Sequence, residues 1–284
     1  MSDRVSSPQN KFMLKLGHIS YSNCLPPHAG IVTKKVAFPF TLVEGIPTEL
    51  NRLLYEGAVD VSPSSSIEYA MNPGRYLLLP DLSITSRKQV MSIILRSRVP
   101  LADLDKKTVA LTTASATSVM LLRILLELLH KIHPSYIRYT QGAENPSDRS
   151  DAFLTIGDLA LTQVALPGYS YRYDLGELWH GFTGLPFVFA LWHVNYTKEI
   201  EKELGALYDI LITSRAYGLA HLQELACEYT DRFKIPAQIL LHYWNSFSYA
   251  FGDDERKGLL QFYDYAAKLG AIKPVTELRF WTQR

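Results

Sequence analysis

Short runs rich in Leu, Ile and Val alternate along this chain with stretches whose apolar residues recur at helical spacing, and several of the short runs stop abruptly in clusters of Ser, Thr and Asn. That alternation predicts an α/β architecture, with mostly parallel strands joined by right-handed crossovers. Strands are expected at 12–19, 59–62, 76–80, 90–95, 109–112, 152–156 and 187–192, with another beginning at 41–43. Helices are expected at 48–55, closed by Gly57, and at 67–71 and 119–129. From Lys198 onward the pattern is helical and offers no strand. A chain of 284 residues exceeds one small core and fits two domains of roughly 100–150 residues.

Loops at the carboxyl ends of parallel strands line the ligand crevice of such folds. Here those loops are 20–23, 64–66 and 113–118, all rich in hydroxyls. Each has two readings. Ser115 and Thr117 can cap the helix that follows. The free N–H groups of that helix start, with hydroxyls beside them, also suit a carboxylate or phosphate, and both roles can hold together. Asp158 either caps a helix starting near Leu159 or faces the crevice. The Ser64, Ser65 and Ser66 hydroxyls form a turn or a site.

Composition excludes several classes. Apolar residues are 47%, charged residues 20% and the formal charge +1, so neither disorder nor a nucleic-acid partner is indicated. The longest apolar run, 119–129, carries Arg123 and Glu127 and is far shorter than the roughly 20 residues that span a bilayer. Residues 1–11 are polar, lack the apolar core of a secretory signal, and are expected to be a disordered tail of a cytoplasmic protein. The two cysteines, Cys24 and Cys227, give no disulfide framework and no zinc spacing, and are read as reduced thiols. No dinucleotide fingerprint, phosphate loop, nucleophile elbow or His-Glu-x-x-His motif occurs. His130 and His133, beside Pro134, are read as solvent-facing. What remains is a cofactor-free, metal-free site built from hydroxyls, an amide and helix ends.

The segment Ile19-Ser20-Tyr21-Ser22-Asn23-Cys24-Leu25-Pro26 resembles the Ile-Ser-Tyr-x-Asn-x-x-Pro signature of the chorismate dehydratase family, which opens the futalosine route to menaquinone. Asp60-Val61-Ser62-Pro63-Ser64-Ser65-Ser66 is similar to the family's Asp-Val-x-Pro-x-Ser-Ser. Leu78 to Asp81, Ser92 to Leu95, Ser115 to Ser118, Ile156 to Asp158 and Thr183 to Phe189 follow in the family's order. The resemblance therefore runs from about Phe12 to Trp192.

It implies the two-lobed, type II periplasmic-binding-protein-like fold with a crevice between lobes and a helical C-terminal region. Lobe I would comprise 12–95 plus 190–284 and lobe II 96–189, with hinge strands near Leu95 and Phe189. The implied activity is conversion of chorismate, a small dicarboxylate, to 3-enolpyruvyl benzoate without metal or nucleotide. By resemblance Asn23 and Ser92 lie nearest the reacting ring. Ser20, Tyr21, Ser64, Ser65, Ser66, Ser115, Ala116, Thr117, Ser118, Asp158, Thr183 and Gly184 would bind substrate. Because Ser and Asn are poor bases, the enolpyruvyl carboxylate of the substrate itself is expected to take the proton, with Asp158 as the alternative. The dihydroxynaphthoate synthase of the same pathway shares the fold, but its first loop carries Cys-Pro-Asn-Asp where this chain has Ser-Tyr-Ser-Asn. A non-catalytic solute-binding protein is the other alternative.

Overall fold

The computed structural model describes residues 13–163 and 166–282, so the expected tail at 1–11 and Phe12 lie outside it. The strands are β1 (Lys15–Ile19), β2 (Thr41–Gly45), β3 (Val61–Ser65), β4 (Leu77–Ser86), β5 (Ile93–Ser97), β6 (Thr108–Thr112), β7 (Ser135–Tyr139), β8 (Ala152–Ile156), β9 (Tyr171–Asp174), β10 (Phe187–Val194) and β11 (Phe247–Ser248). The α-helices are α1 (Leu25–Val32), α2 (Pro47–Glu56), α3 (Ser66–Met71), α4 (Ala116–Arg123), α5 (Gly157–Thr162), α6 (Leu175–Thr183), α7 (Glu201–Ala220), α8 (Leu222–Glu228), α9 (Thr230–Phe233), α10 (Ala237–Asn245) and α11 (Asp253–Lys268).

These strands form two sheets, one of six in the order β11-β4-β10-β3-β1-β2 and one of five in the order β7-β6-β8-β5-β9. Both are mixed rather than purely parallel. β1 runs parallel to β2 and β3, whereas β10 is antiparallel to β3 and β4, and β5 is antiparallel to β8 and β9. The chain crosses between sheets in 87–92 and returns in 175–186. The expected lobe limits move accordingly. Ile93–Ser97, which the expected limit between 95 and 96 divides, pairs as a whole with β8 and β9 in the second sheet. Phe187–Val194 pairs with β3 and β4 and so belongs wholly to the first.

Several local expectations also change. The polar loop runs directly into a helix that was not expected: Pro26 and Pro27 fill the first turn of α1, where proline's missing N–H is no loss and its fixed φ suits a helix. β3 continues through Pro63 to Ser65. β4 continues past Pro80, with Asp81 at a φ of 59°, to Ser86. The helical C-terminal region does contribute to a sheet, through the two residues of β11 and a bridge from Phe280 to Leu78.

That region packs by its periodicity. In α11, Leu259, Phe262, Tyr263 and Ala266 fall at i, i+3, i+4 and i+7 and are all buried. Phe262 meets Phe187 edge to face at 4.9 Å, and Trp179 of α6 meets the same Phe187 at 5.2 Å. Burial of each large side chain is worth about 1.5–3 kcal/mol, which fixes α11 against β10 and α6, beside the return crossing.

Candidate active site

The crevice between the sheets is walled by Ile19, Tyr21, Asn23 and Cys24 from the end of β1 and the turn after it, Pro47, Ser65 at the tip of β3, and Ile84 of β4. Ser92 and Ile93, Ser115 and Ser118, Ile156 and Gly157, and Phe189 and Ala190 complete it. Among these residues only Tyr21 and Cys24 can ionise. Burial, followed by the nearby Asp158 charge, raises both the Tyr21 phenol and the Cys24 thiol, so neither offers a base near neutral pH. The walls are otherwise apolar side chains, a few hydroxyls and one amide.

The loop holding Asn23 is fixed through Ser22. The Ser22 N–H donates to both Asp158 oxygens at 3.2 and 3.3 Å, its hydroxyl donates to the same carboxylate, and its carbonyl accepts from Trp244 Nε1 at 2.9 Å. With its neighbour fully engaged, Asn23 sits mid-turn in the 3-10 segment Ser22–Cys24, and its Oδ1 is buried without a partner. A buried amide oxygen left unpaired costs about 1–3 kcal/mol, a cost that a ligand donor would remove.

Ser92 lies on the crossing into the second sheet and is 2% exposed. Its N–H donates to Val90 O at 2.7 Å and its carbonyl accepts from Gly157 N–H at 2.8 Å. Just before it, the Asp174 carboxylate accepts from the N–H groups of Val90 and Met91 and from those of Gly176 and Glu177 at the start of α6. One carboxylate thus ties the outgoing crossing to the helix that begins the return. The Ser92 hydroxyl accepts from the Tyr243 hydroxyl at 2.7 Å.

At the start of α4, Ser115 does both things foreseen for it structurally: its hydroxyl accepts from Ser118 N–H at 3.2 Å as a cap, and it lines the crevice with Ser118. Thr117 turns away from the crevice. Its hydroxyl accepts from the N–H of Ile67 at 3.1 Å and lies 3.4 Å from Ser66 Oγ, which joins the starts of α3 and α4 across the two sheets.

The crevice therefore gathers Tyr21, Asn23, Ser65, Ser92, Ser115 and Ser118 from the sequence reading, and leaves others outside. Ser20 donates to Gly45 O at the edge of β2. Ser64 and Ser66 are buried but do not reach the wall. Ala116 faces a second groove beside α4. Asp158 joins the two lobes through Ser22 and is not a lining residue; burial raises its carboxyl, and the Ser22 hydrogen bonds oppose that shift. Thr183 and Gly184 finish α6: the Thr183 hydroxyl donates to Trp179 O, and Gly184 takes a φ of 67° that closes the helix. The left-handed conformation of Gly184 at the end of the helix by itself accounts for a glycine there. Ile19, Ile84, Ile93, Ile156 and Phe189 were not singled out from sequence because isolated apolar residues on strands read as core.

Over residues 14–268 the chain matches the menaquinone biosynthesis family. It belongs to that family. It is similar to a protein of Thermus thermophilus named chorismate dehydratase, with 36% identity over 262 residues that cover 87% of this chain and 93% of the relative. Among solved structures, a protein of Archaeoglobus fulgidus superposes with a TM-score of 0.73 at 17% identity, covering 93% of this chain and all of the other. A Candida albicans protein described as having the generic periplasmic binding protein fold gives 0.62 at 10% identity, covering 94% and 93% of the two chains. At those identities the structural likeness speaks to the fold alone: two lobes of α/β structure with the crevice between them.

Proposed function

We propose that this member of the menaquinone biosynthesis family dehydrates chorismate to 3-enolpyruvyl benzoate and water. The observation that carries the reading is that a buried, unpartnered Asn23 oxygen and the Ser92 side chain line one crevice that, among the described residues, is lined by no Asp, Glu, His, Lys or Arg. The similarity to a protein named chorismate dehydratase supports it.

The reaction breaks the C3–H and C4–O bonds of the ring, forms the C3–C4 double bond and so makes the ring aromatic. The protein then has chiefly to orient groups and to support one proton transfer. The apolar walls from Ile84, Ile93, Ile156 and Phe189 suit the ring. The free N–H groups at the start of α4, with Ser115 and Ser118, suit a carboxylate. Asn23 and Ser92 orient the departing hydroxyl and the acceptor of the proton, which is the substrate's own enolpyruvyl carboxylate. Asp158, held by three Ser22 contacts and off the wall, supports that assignment over a protein base. No metal or cofactor enters the proposed reaction. Incubation of the purified protein with chorismate, followed by mass spectrometry and the ultraviolet absorbance of the aromatic product, tests the reading: the proposal expects loss of one water, and intact chorismate would refute it.

A further inference from the structure

The C-terminal region beyond Lys198 supplied no motif, yet one of its helices reaches both loops of the crevice. Adjacent residues of α10 do this in different directions. The Tyr243 hydroxyl donates to Ser92 Oγ at 2.7 Å, and the Trp244 indole donates to the Ser22 carbonyl at 2.9 Å. Tyr243 is fully buried and Trp244 is 1% exposed. Both are packed with Leu240 of the same helix, Leu225 and Ala226 of α8, Leu25 and Ala29 of α1 and Leu161 of α5. α10 is thus seated against both lobes, and its two polar groups are aimed by that packing.

We infer that Tyr243 is the positioning residue that orients the Ser92 hydroxyl for donation into the crevice, with Trp244 fixing the Asn23 loop in register beside it. A serine hydroxyl has one proton and two lone pairs. Tyr243 occupies one lone pair of Ser92, and among the described residues no acceptor for the Ser92 proton is found. That proton is left pointing to the space that Ser92 lines. A hydroxyl that receives one hydrogen bond is polarised toward giving a better one. The direction is locked, because burial keeps the Tyr243 phenol well above its usual range and so protonated wherever the protein is folded. The arrangement rests on the proposed dehydration, in which Ser92 donates to the substrate.

The test is steady-state turnover of chorismate by the unmodified protein, Tyr243→Phe, Ser92→Ala and the double variant, with melting temperatures taken on each. Tyr243→Phe keeps the ring and its packing and removes only the hydroxyl. Its kcat should fall about 10- to 100-fold while KM stays within about twofold, and the double variant should be no slower than Ser92→Ala alone, since the tyrosine acts through the serine. Trp244→Phe should raise KM and lower kcat together by loosening the Asn23 loop. Full-rate turnover by a folded Tyr243→Phe protein would overturn the inference alone, as would losses that multiply in the double variant. An unmodified protein that leaves chorismate intact would overturn the dehydration reading, and the positioning role with it.

Discussion

Asn23 occupies a turn, and its side-chain oxygen has no protein partner, so its replacement should cost folding little and turnover much. For Asn23→Ala the expected loss of kcat is about a hundredfold or more, as for removal of a preorganised polar group from a reacting centre. The melting temperature should stay within the few degrees that correspond to about 1 kcal/mol. Wild-type turnover in that variant would take Asn23 out of the reaction. Asp158 is argued the other way. Its oxygens are spent on Ser22 across the lobes, so Asp158→Asn should lower kcat less than about tenfold and act mainly on KM; a loss of a hundredfold, the usual worth of a general base, would make it the proton acceptor. Single residues stood out in sequence where a polar group interrupted a strand end, as at Asn23 and Ser65, whereas Ser92, inside the expected strand 90–95, was singled out only by the family resemblance. Thr183 and Gly184 misled because a helix stop and a ligand loop use the same small and hydroxylic residues.

Elements were legible when their pattern was dictated by burial. β8, buried throughout, and α2, with Gly57 at its end, stand close to where periodicity puts them. β7 and β9 escaped notice for a physical reason: they are the two edges of the five-stranded sheet, and edge strands carry polar and aromatic residues such as Ser-Tyr-Ile-Arg-Tyr rather than apolar runs. The two readings of the α4 start converge, because Ser115 both caps the helix and faces the crevice. Ser115→Ala should therefore show two losses at once: about 1 kcal/mol of stability from the lost cap, and about 1–3 kcal/mol of substrate binding from a lost hydrogen bond to a charged group. Thermal unfolding and calorimetric titration on the same variant read them separately. Unchanged affinity would confine Ser115 to capping.

The whole molecule carries a pH dependence that its small formal charge of +1 conceals. His18 and His28 face each other with Nδ1 atoms 2.7 Å apart, and His28 Nε2 accepts from Trp192 Nε1, so His28 holds its proton on Nδ1 and gives it to His18. Burial lowers His18 and His193 to about 4 and pushes His28 down as well. The unfolded chain takes up these protons near 6.5 and the folded chain does not until near 4, so stability should fall as pH drops from about 6.5 to about 4, with His18 alone worth up to about 3 kcal/mol. The buried carboxyls of Asp158 and Asp174, raised by burial, work in the opposite sense and reduce the net fall. Denaturant titrations across that range read it, and stability that held level down to pH 4 would contradict it. The α/β class was legible in the alternation of strands and helices and the two-lobed plan followed from the family resemblance of the polar loops, whereas the crossings were placed by pairing that no local pattern reveals. At this scale the central claim is that the protein orients a substrate that brings its own base. The most direct measurement compares initial rates of water loss from chorismate and from an analogue lacking the enolpyruvyl carboxylate, both with the unmodified protein. The account predicts that chorismate is converted while the analogue binds and is returned unchanged; dehydration of the analogue at a comparable rate would contradict it.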